Sequence, residues 1–327
     1  MKAIVISGVG GTDALEIREV PTPEPRGDQI RVRVRACGLN RADLMQSRGT
    51  YPAPPGAPAD IPGLEYAGEV DAIGPDVIGP HKVGDRVFGI VGGGGQAEYL
   101  VVQERLAVKI PSNLDFIQAA AVPEVFLTAH DALTTQGRLE PGESVLIHAV
   151  GSGVGTAALQ IARAMGCRTF GTARTAAKLE RARELGLDLG IDATAEDFAE
   201  VIRRETAGAG VSVVIDLLGA SVWAGNVASL ATRGRLVLVG LLGGGHASIN
   251  LMDILRKRAT VVGTTLRARP LEEKIAATRA FADRVVPWLE RGIVRPVVDS
   301  TFPFSDFREA QHRVESNAVF GKVILQL

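Results

Sequence analysis

The stretch Ser144–Gly155 reads SVLIHAVGSGVG and runs straight into TAALQIARAMG at 156–166. A buried strand, a glycine turn and an alanine-rich helix follow one another without a break. Glycine and serine at such a turn let the backbone approach a pyrophosphate closely, and the N–H groups and dipole at a helix start favour its negative charge. The plain dinucleotide fingerprint asks for three spaced glycines, but in the register ending at Gly155 the first two positions are Val150 and Ser152. The segment therefore reads as Ala149-x-x-Ser152-Gly153-Val154-Gly155, with small residues doing the steric work and Gly151 and Gly153 supplying flexibility. Gly151, Ser152, Gly153, Val154 and Gly155 are the candidate phosphate-binding residues. An ordinary tight strand-to-helix turn is the plainer alternative.

The next strand distinguishes the cofactors. An NAD site places an acid about 20 residues beyond the glycines, whereas an NADP site supplies cations for the 2′-phosphate. Here RTFGTA ends at Ala173 and is followed by Arg174, Thr175 and Lys178, with no Asp or Glu from Ser144 through Leu179. NADPH is the expected cofactor. Arg174 and Lys178 would otherwise be solvated positions at a helix start, where cations oppose the helix dipole.

The chain has 327 residues, 46% of them hydrophobic, enough for two domains with cores of their own. Lys and Arg number 36 against 37 Asp and Glu, for a net charge of -1, and no block of like charge suggests a nucleic-acid or membrane surface. Arg31, Arg33 and Arg35 alternate with apolar residues, as on the wet face of one strand. Two cysteines, Cys37 and Cys167, are too few for a disulfide framework, and the five histidines are scattered. The start MKAIVISG lacks a charged leader, and no run approaches the roughly 20 apolar residues of a membrane span. A cytoplasmic location is expected.

Up to residue 122 the chain is a series of short β runs, from KAIVIS to RLAVKI, separated by Gly, Pro and Asp clusters. From residue 123 strand and helix alternate, with strands expected at 144–149, 168–173, 211–217, 234–240 and 260–265. After a helix near Glu272–Arg291, RPVVDSTFPF and GKVILQL are β-like again. The expected class is α/β: a doubly wound Rossmann domain over 123–266, and a partly open β-barrel domain over 1–122 to which residues 267–327 return.

Several segments together carry a family resemblance: ACGLNRADLMQSRGTYP, IPGLEYAGEV, GDRVFGIVGGGGQAEY, AAAVPEVFLTA, SVLIHAVGSGVG, GRLVLVGLLGGG and FGKVILQL. The chain resembles the medium-chain dehydrogenase/reductase superfamily in its zinc-free quinone oxidoreductase branch, and is most similar to the tumour-suppressor-inducible subgroup. The resemblance implies that the β domain is GroES-like and catalytic. Asn40 and Leu64 stand where zinc-dependent relatives carry Cys and His ligands, while Glu65 survives as a structural acid, and Arg41 and Ala42 replace the alcohol proton relay. The lobe that holds structural zinc is missing, so metal-assisted alcohol oxidation is not expected.

Without a Lewis acid, hydride transfer needs a substrate that is already electrophilic, such as a quinone or an α,β-unsaturated carbonyl. Tyr51 precedes PAPPGAPADIP, a stiff loop expected to wall the substrate cleft. The resemblance puts Asn40 and Tyr51 beside the nicotinamide as donors to a developing oxyanion. Asn40 reads equally as an N-cap for RADLMQS, with Asp43 near the helix start, and Tyr51 as a packed loop aromatic. Met45 replaces a second tyrosine found in many quinone reductases, and Ala193 a tyrosine that helps clamp the 2′-phosphate. The resemblance also implies that Thr128, Leu242 and Phe320 border the nicotinamide and that Gly219 approaches the ribose; core packing and turn formation are their plainer readings. Glycines 92–95 and 243–245 are expected to be flexible loops. The leading reading is an NADPH-dependent quinone oxidoreductase, a homodimer pairing through TVVGTT at 260–265. The alternatives are an enone or enoyl reductase and a non-catalytic, crystallin-like NADPH-binding protein.

Overall fold

A computed structural model describes residues 1–8 and 10–327 of the chain. The chain divides into two compact units, one of residues 1–127, 266–292 and 296–327, the other of residues 128–265 and 293–295. Relative to the expected domains, the first division lies five residues later and the return one residue earlier, and a three-residue stretch rejoins the second unit.

The first unit begins with a two-stranded antiparallel ribbon, β1 (Lys2–Ile6) and β2 (Leu15–Glu19). Its main sheet contains β3 (Gln29–Leu39), β4 (Glu65–Ile73), β5 (Arg86–Ile90), β6 (Tyr99–Gln103) and β7 (Ala107–Lys109). The long strand β3 is its spine. Ile30, Val32 and Val34 face the core, while Arg31 and Arg35 on the other face pair with Asp71 and Glu69 of β4. Period-2 alternation thus sorts this strand into dry and wet faces. Helix α1 (Arg41–Ser47) follows β3 directly, and α2 (Phe116–Ala120) precedes α3 (Pro123–His130).

In the second unit β8 (Ser144–Ile147), α4 (Gly153–Ala164), β9 (Arg168–Ala173), β10 (Leu189–Asp192), β11 (Val211–Asp216), β12 (Leu230–Leu238) and β13 (Thr260–Gly263) form a six-stranded parallel sheet with its helical crossovers. The order β10-β9-β8-β11-β12-β13 is that of a doubly wound sheet. Five of these strands coincide with the expected runs to within a few residues; β10 is additional. Its four residues, LGID, include a glycine and an aspartate, so neither length nor β-propensity announces it.

The C-terminal return supplies β14 (Val298–Pro303) and β15 (Lys322–Gln326) to the first unit. Strand β15 pairs antiparallel with the end of β3, Val323 opposite Leu39 and Ile324 opposite Gly38. That register brings Lys322 to the point where β3 gives way to α1.

Candidate active site

The glycine turn of the second unit has the local geometry of a phosphate site. Ser152 caps α4, its Oγ accepting the Gly155 N–H at 3.0 Å, while among the described residues the N–H groups of Gly153 and Val154 find no acceptor. A Cβ on Gly155 would lie 2.4 Å from the Ala149 carbonyl oxygen, so only glycine lets the helix start come this close to the strand end. Residues 152–154 are half-buried. A half-buried helix start with unpaired donors fits the pyrophosphate of a dinucleotide.

Beneath the turn lies a buried polar chain that joins the C-terminal ends of three adjacent strands. His148 contacts Thr172 Oγ1 through Nδ1 at 2.9 Å and Asn226 Oδ1 through Nε2 at 2.6 Å. Asn226 Nδ2 donates to Asp216 at 2.9 Å, and the other Asp216 oxygen accepts the N–H groups of Leu218 and Gly219. Because the Asn226 amide must turn its Nδ2 to the carboxylate, its oxygen faces His148. Nε2 therefore carries the proton and Thr172 donates to Nδ1. Burial lowers the His148 pKa and raises that of Asp216. In open α/β sheets ligands bind outside the carboxyl ends of the strands, and this chain fixes the backbone there.

The remaining candidates in this unit are distributed as follows. Ala173 is buried at the end of β9, and Arg174 and Thr175 after it are exposed; among the described residues Arg174 makes no hydrogen bond or ion pair. Lys178 is half-buried in the first turn of the helix Ala176–Glu184. The acid missing from the local sequence has a neighbour in space, since Asp192 of β10 lies opposite Ala173. Its carboxylate accepts the N–H and hydroxyl of Thr194, which hold its pKa below the ordinary value. Gly219 has a φ of 78° and packs against residues 241–244. Leu242 belongs to an exposed stretch of residues 241–250.

In the first unit, Asn40 takes the N-cap position of α1, but its side chain does not cap. The Asp43 carboxylate holds the Asn40 N–H at 2.8 Å and the Gly63 N–H at 3.0 Å. The Asn40 amide donates instead to Glu65 Oε1 at 2.8 Å and to the Gly38 carbonyl at 3.4 Å, and its oxygen accepts from Lys322 Nζ at 2.7 Å. Lys322 Nζ also bonds the Leu39 carbonyl at 2.8 Å and pairs with Glu65 Oε1 at 2.6 Å; the two side chains are 4% and 0% exposed. The ammonium thus has two hydrogen-bond acceptors and one ion-pair partner inside the protein. Glu65 Oε2 accepts the Glu124 N–H at 2.8 Å. Gly38 leaves the space for this carboxylate, since a Cβ there would lie 2.3 Å from Glu65 Oε1.

Among the described residues, the Tyr51 hydroxyl and the Glu124 carboxyl have no hydrogen-bond partner. Tyr51 is half-buried, its ring under the Arg267 guanidinium at 5.1 Å. Arg267, itself 5% exposed, also binds the carbonyls of Gly92 and Tyr51 and the Gln46 side chain, tying α1 to the proline-rich loop. Burial, and then the charge on Glu65, push the Glu124 carboxyl up to about 8. Burial likewise pushes Asp43 up to about 6, against the two N–H groups it accepts. Neither Lys322, Glu124 nor Arg267 was a sequence-level candidate. A lone charge inside AAAVPEVFLTA or FGKVILQL was the available signal, because a buried charge requires a partner.

Two expectations change. Glycines 92–95 are not a flexible loop: they pack on Pro54, Ala57, Pro58 and Gly63 at distances that a Cβ on Gly92, Gly93 or Gly95 would violate. The Asn40 amide has no donor left for a substrate oxygen, since Glu65 and Gly38 take both of its hydrogens. Phe320 is buried, its N–H bound to Asp299 at 3.0 Å. Thr128 is half-buried on α3.

A catalytic zinc does not fit this arrangement. Leu64 is aliphatic, Asn40 is bound through both ends of its amide, and an ammonium already neutralises Glu65.

Residues 26–112 match the family described as "Alcohol dehydrogenase GroES-like domain" and residues 153–283 that described as "Zinc-binding dehydrogenase". The chain is 32% identical to the human protein named quinone oxidoreductase, over 100% of this chain and 98% of that one. Among solved structures, one titled NAD-dependent alcohol dehydrogenase superposes with a TM-score of 0.89 at 32% identity, covering 100% of both chains. A mycobacterial protein complexed with NADPH superposes at 0.87 and 28% identity, again over 100% of both. The chain is an oxidoreductase with a nicotinamide-dinucleotide fold, and it belongs to the medium-chain dehydrogenase/reductase superfamily, in its zinc-free quinone oxidoreductase family.

Proposed function

We propose that this NAD(P)H-dependent quinone oxidoreductase uses NADPH, works without a metal, and reduces acceptors that are electrophilic without Lewis-acid help. The observation that carries this reading is the buried Lys322 ammonium, 4% exposed, paired with Glu65 and donating to the Leu39 carbonyl and Asn40 Oδ1. A cation so enclosed balances charge inside the protein and is shut off from a substrate carbonyl. A quinone meets that requirement, and an enone or enal is the second acceptor class that does.

Residues 151–155 would hold the pyrophosphate, and Arg174, Thr175 and Lys178 the 2′-phosphate beyond Ala173. Gly219 would lie near the ribose, and Thr128, Leu242 and Phe320 near the nicotinamide. The bound dinucleotide supplies the hydride. The Tyr51 phenol, free of internal bonds and steered by Arg267, donates a hydrogen bond to the oxygen on which charge develops. Asn40 acts through Lys322 and Glu65 as a positioning residue. The paired test is oxidation of NADPH and NADH against 1,4-benzoquinone and 2-cyclohexen-1-one. NADPH oxidation with the quinone is the expected result; turnover with the enone alone would move the assignment to double-bond reduction.

The reading extends to assembly and location. Strand β13 is an edge of its sheet, and Leu251, Met252, Leu255 and Val261 beside it are exposed apolar residues. An unpaired edge flanked by such residues suits pairing with a second copy across a two-fold axis. Among the described residues no helix is long and apolar enough to cross a membrane. Both cysteines are free and buried, in keeping with a reducing cytoplasm.

A further inference from the structure

We infer that Glu124 is a catalytic residue of this reductase, the neutral carboxylic acid that hands a proton to the substrate as hydride arrives. This rests on the acceptor chemistry proposed above. Asn40, Lys322, Glu65 and Asp43 are all engaged by groups within the protein. Among the described residues the Glu124 side chain makes no hydrogen bond and no ion pair, although Glu65 grips its backbone N–H.

Its placement on α3 is equally specific. Every residue of that helix is buried except Glu124 and Thr128, which are half-buried and four positions apart. Within the first unit's part of α3, residues 123–127, Glu124 is therefore the one side chain that is not buried. The charged groups that bear on the carboxyl are Glu65 on β4, Asp43 on α1, Lys322 on β15, Arg267 before the helix Leu271–Arg284, and Lys274 on that helix. Burial, and next the charge on Glu65, raise the carboxyl to about 8, against the opposing pull of Lys322 and Arg267. A carboxylic acid that is neutral at physiological pH and accessible on one side is a proton donor by construction.

The step balances simply. Hydride, carrying two electrons, reduces a quinone to the hydroquinone monoanion, or an enone to its enolate. The Glu124 O–H bond breaks as a new O–H bond forms on that anion, or a C–H bond on the enolate. The resulting Glu124 carboxylate recovers its proton from water.

The test compares wild type with E124Q and E124D, each checked for unchanged circular dichroism. Without cofactor, the infrared carboxylic-acid C=O stretch in the wild-type minus E124Q difference should be present at pH 7 and vanish with a midpoint near 8. With NADPH, kcat for 1,4-benzoquinone and 2-cyclohexen-1-one should fall over the same pH range in wild type. In E124Q it should be about 10–100-fold lower and flat there, at or below the usual effect of a positioned acid because quinones are intrinsically reactive. E124D, which keeps the acid, should recover part of the loss. An ionised Glu124 at pH 7 overturns the inference with or without turnover, and so does an E124Q enzyme with the wild-type pH profile. Absence of any wild-type turnover with either acceptor would instead defeat the acceptor reading, while the infrared titration still judges Glu124.

Discussion

Replacing Lys322 by methionine removes the one cation that neutralises a fully buried carboxylate. Breaking a buried pair by deleting one partner costs about 3–5 kcal/mol, because the remaining charge is left in a poorly polarisable interior. The geometry favours the lower end of that range. Glu65 would keep the Asn40 amide and the Glu124 N–H, both at 2.8 Å, while Asn40 Oδ1 and the Leu39 carbonyl would lose a donor each. The expected loss is about 3 kcal/mol, a large part of the roughly 5–15 kcal/mol that holds a domain together. E65Q should cost a similar amount by stranding the ammonium. The double variant E65Q/K322M buries no charge, and its loss should fall at least about 2 kcal/mol short of the sum of the single losses. The two tryptophans, Trp223 and Trp288, lie in different units, so a W223F background lets Trp288 fluorescence follow the first unit alone during urea unfolding. A K322M loss below about 1 kcal/mol, or singles that simply add in the double variant, would refute the account of Lys322 as an internal counter-ion.

The other expectations can be checked more directly. R174A/K178A should weaken NADPH binding by about 1.5–3 kcal/mol through loss of charge-assisted phosphate contacts, and leave NADH binding nearly unchanged; an unaltered affinity ratio in a fluorescence titration defeats the phosphate assignment. Y51F should lower kcat for a quinone by about 1.5–3 kcal/mol of barrier while sparing NADPH affinity, and a wild-type kcat would reduce Tyr51 to a packing residue. Light scattering at micromolar concentration should give twice the chain mass, and V261K on the exposed edge strand should shift it towards one; a monomeric wild type rejects pairing through β13.

Sequence periodicity made the architecture legible wherever it was strong. The alternation along β3 separates Arg31 and Arg35 from Ile30, Val32 and Val34, and the apolar strand, glycine turn and alanine-rich helix at 144–166 announce a parallel unit. Strand β10 escaped because four residues at a sheet edge carry too little pattern. The cofactor half of the candidate site is local in sequence, so Ser152 to Gly155 and Ala173 to Lys178 could be read directly. Asp192, opposite Ala173, could not, because strand pairing brings it there from 19 positions away. The other half is non-local throughout: Glu65, Lys322, Asn40 and Glu124 meet only through the β15–β3–β4 register and the start of α3. Asn40 shows the consequence. Its local reading as an N-cap gave the backbone position correctly, but the side chain follows a lysine 282 positions away.

That lysine also explains how a fold shared with zinc enzymes can be turned to a different chemistry. A bound metal offers an open coordination position to the substrate, so one ion both balances the local acids and activates the carbonyl. Lys322 does only the first of these on the reading proposed above, since it is buried, paired with Glu65, and donates to Asn40 and Leu39. Activation must then come from groups the cation leaves alone. Among the described residues the Tyr51 phenol and the Glu124 carboxyl are such groups, and burial, then the charge on Glu65, push the second up to about 8. On the reading proposed above, the Lys322–Glu65 pair fixes the substrate class in two ways at once: it withholds Lewis-acid help, which leaves only acceptors that are electrophilic unaided, and it keeps a neutral acid beside it for the proton those acceptors need.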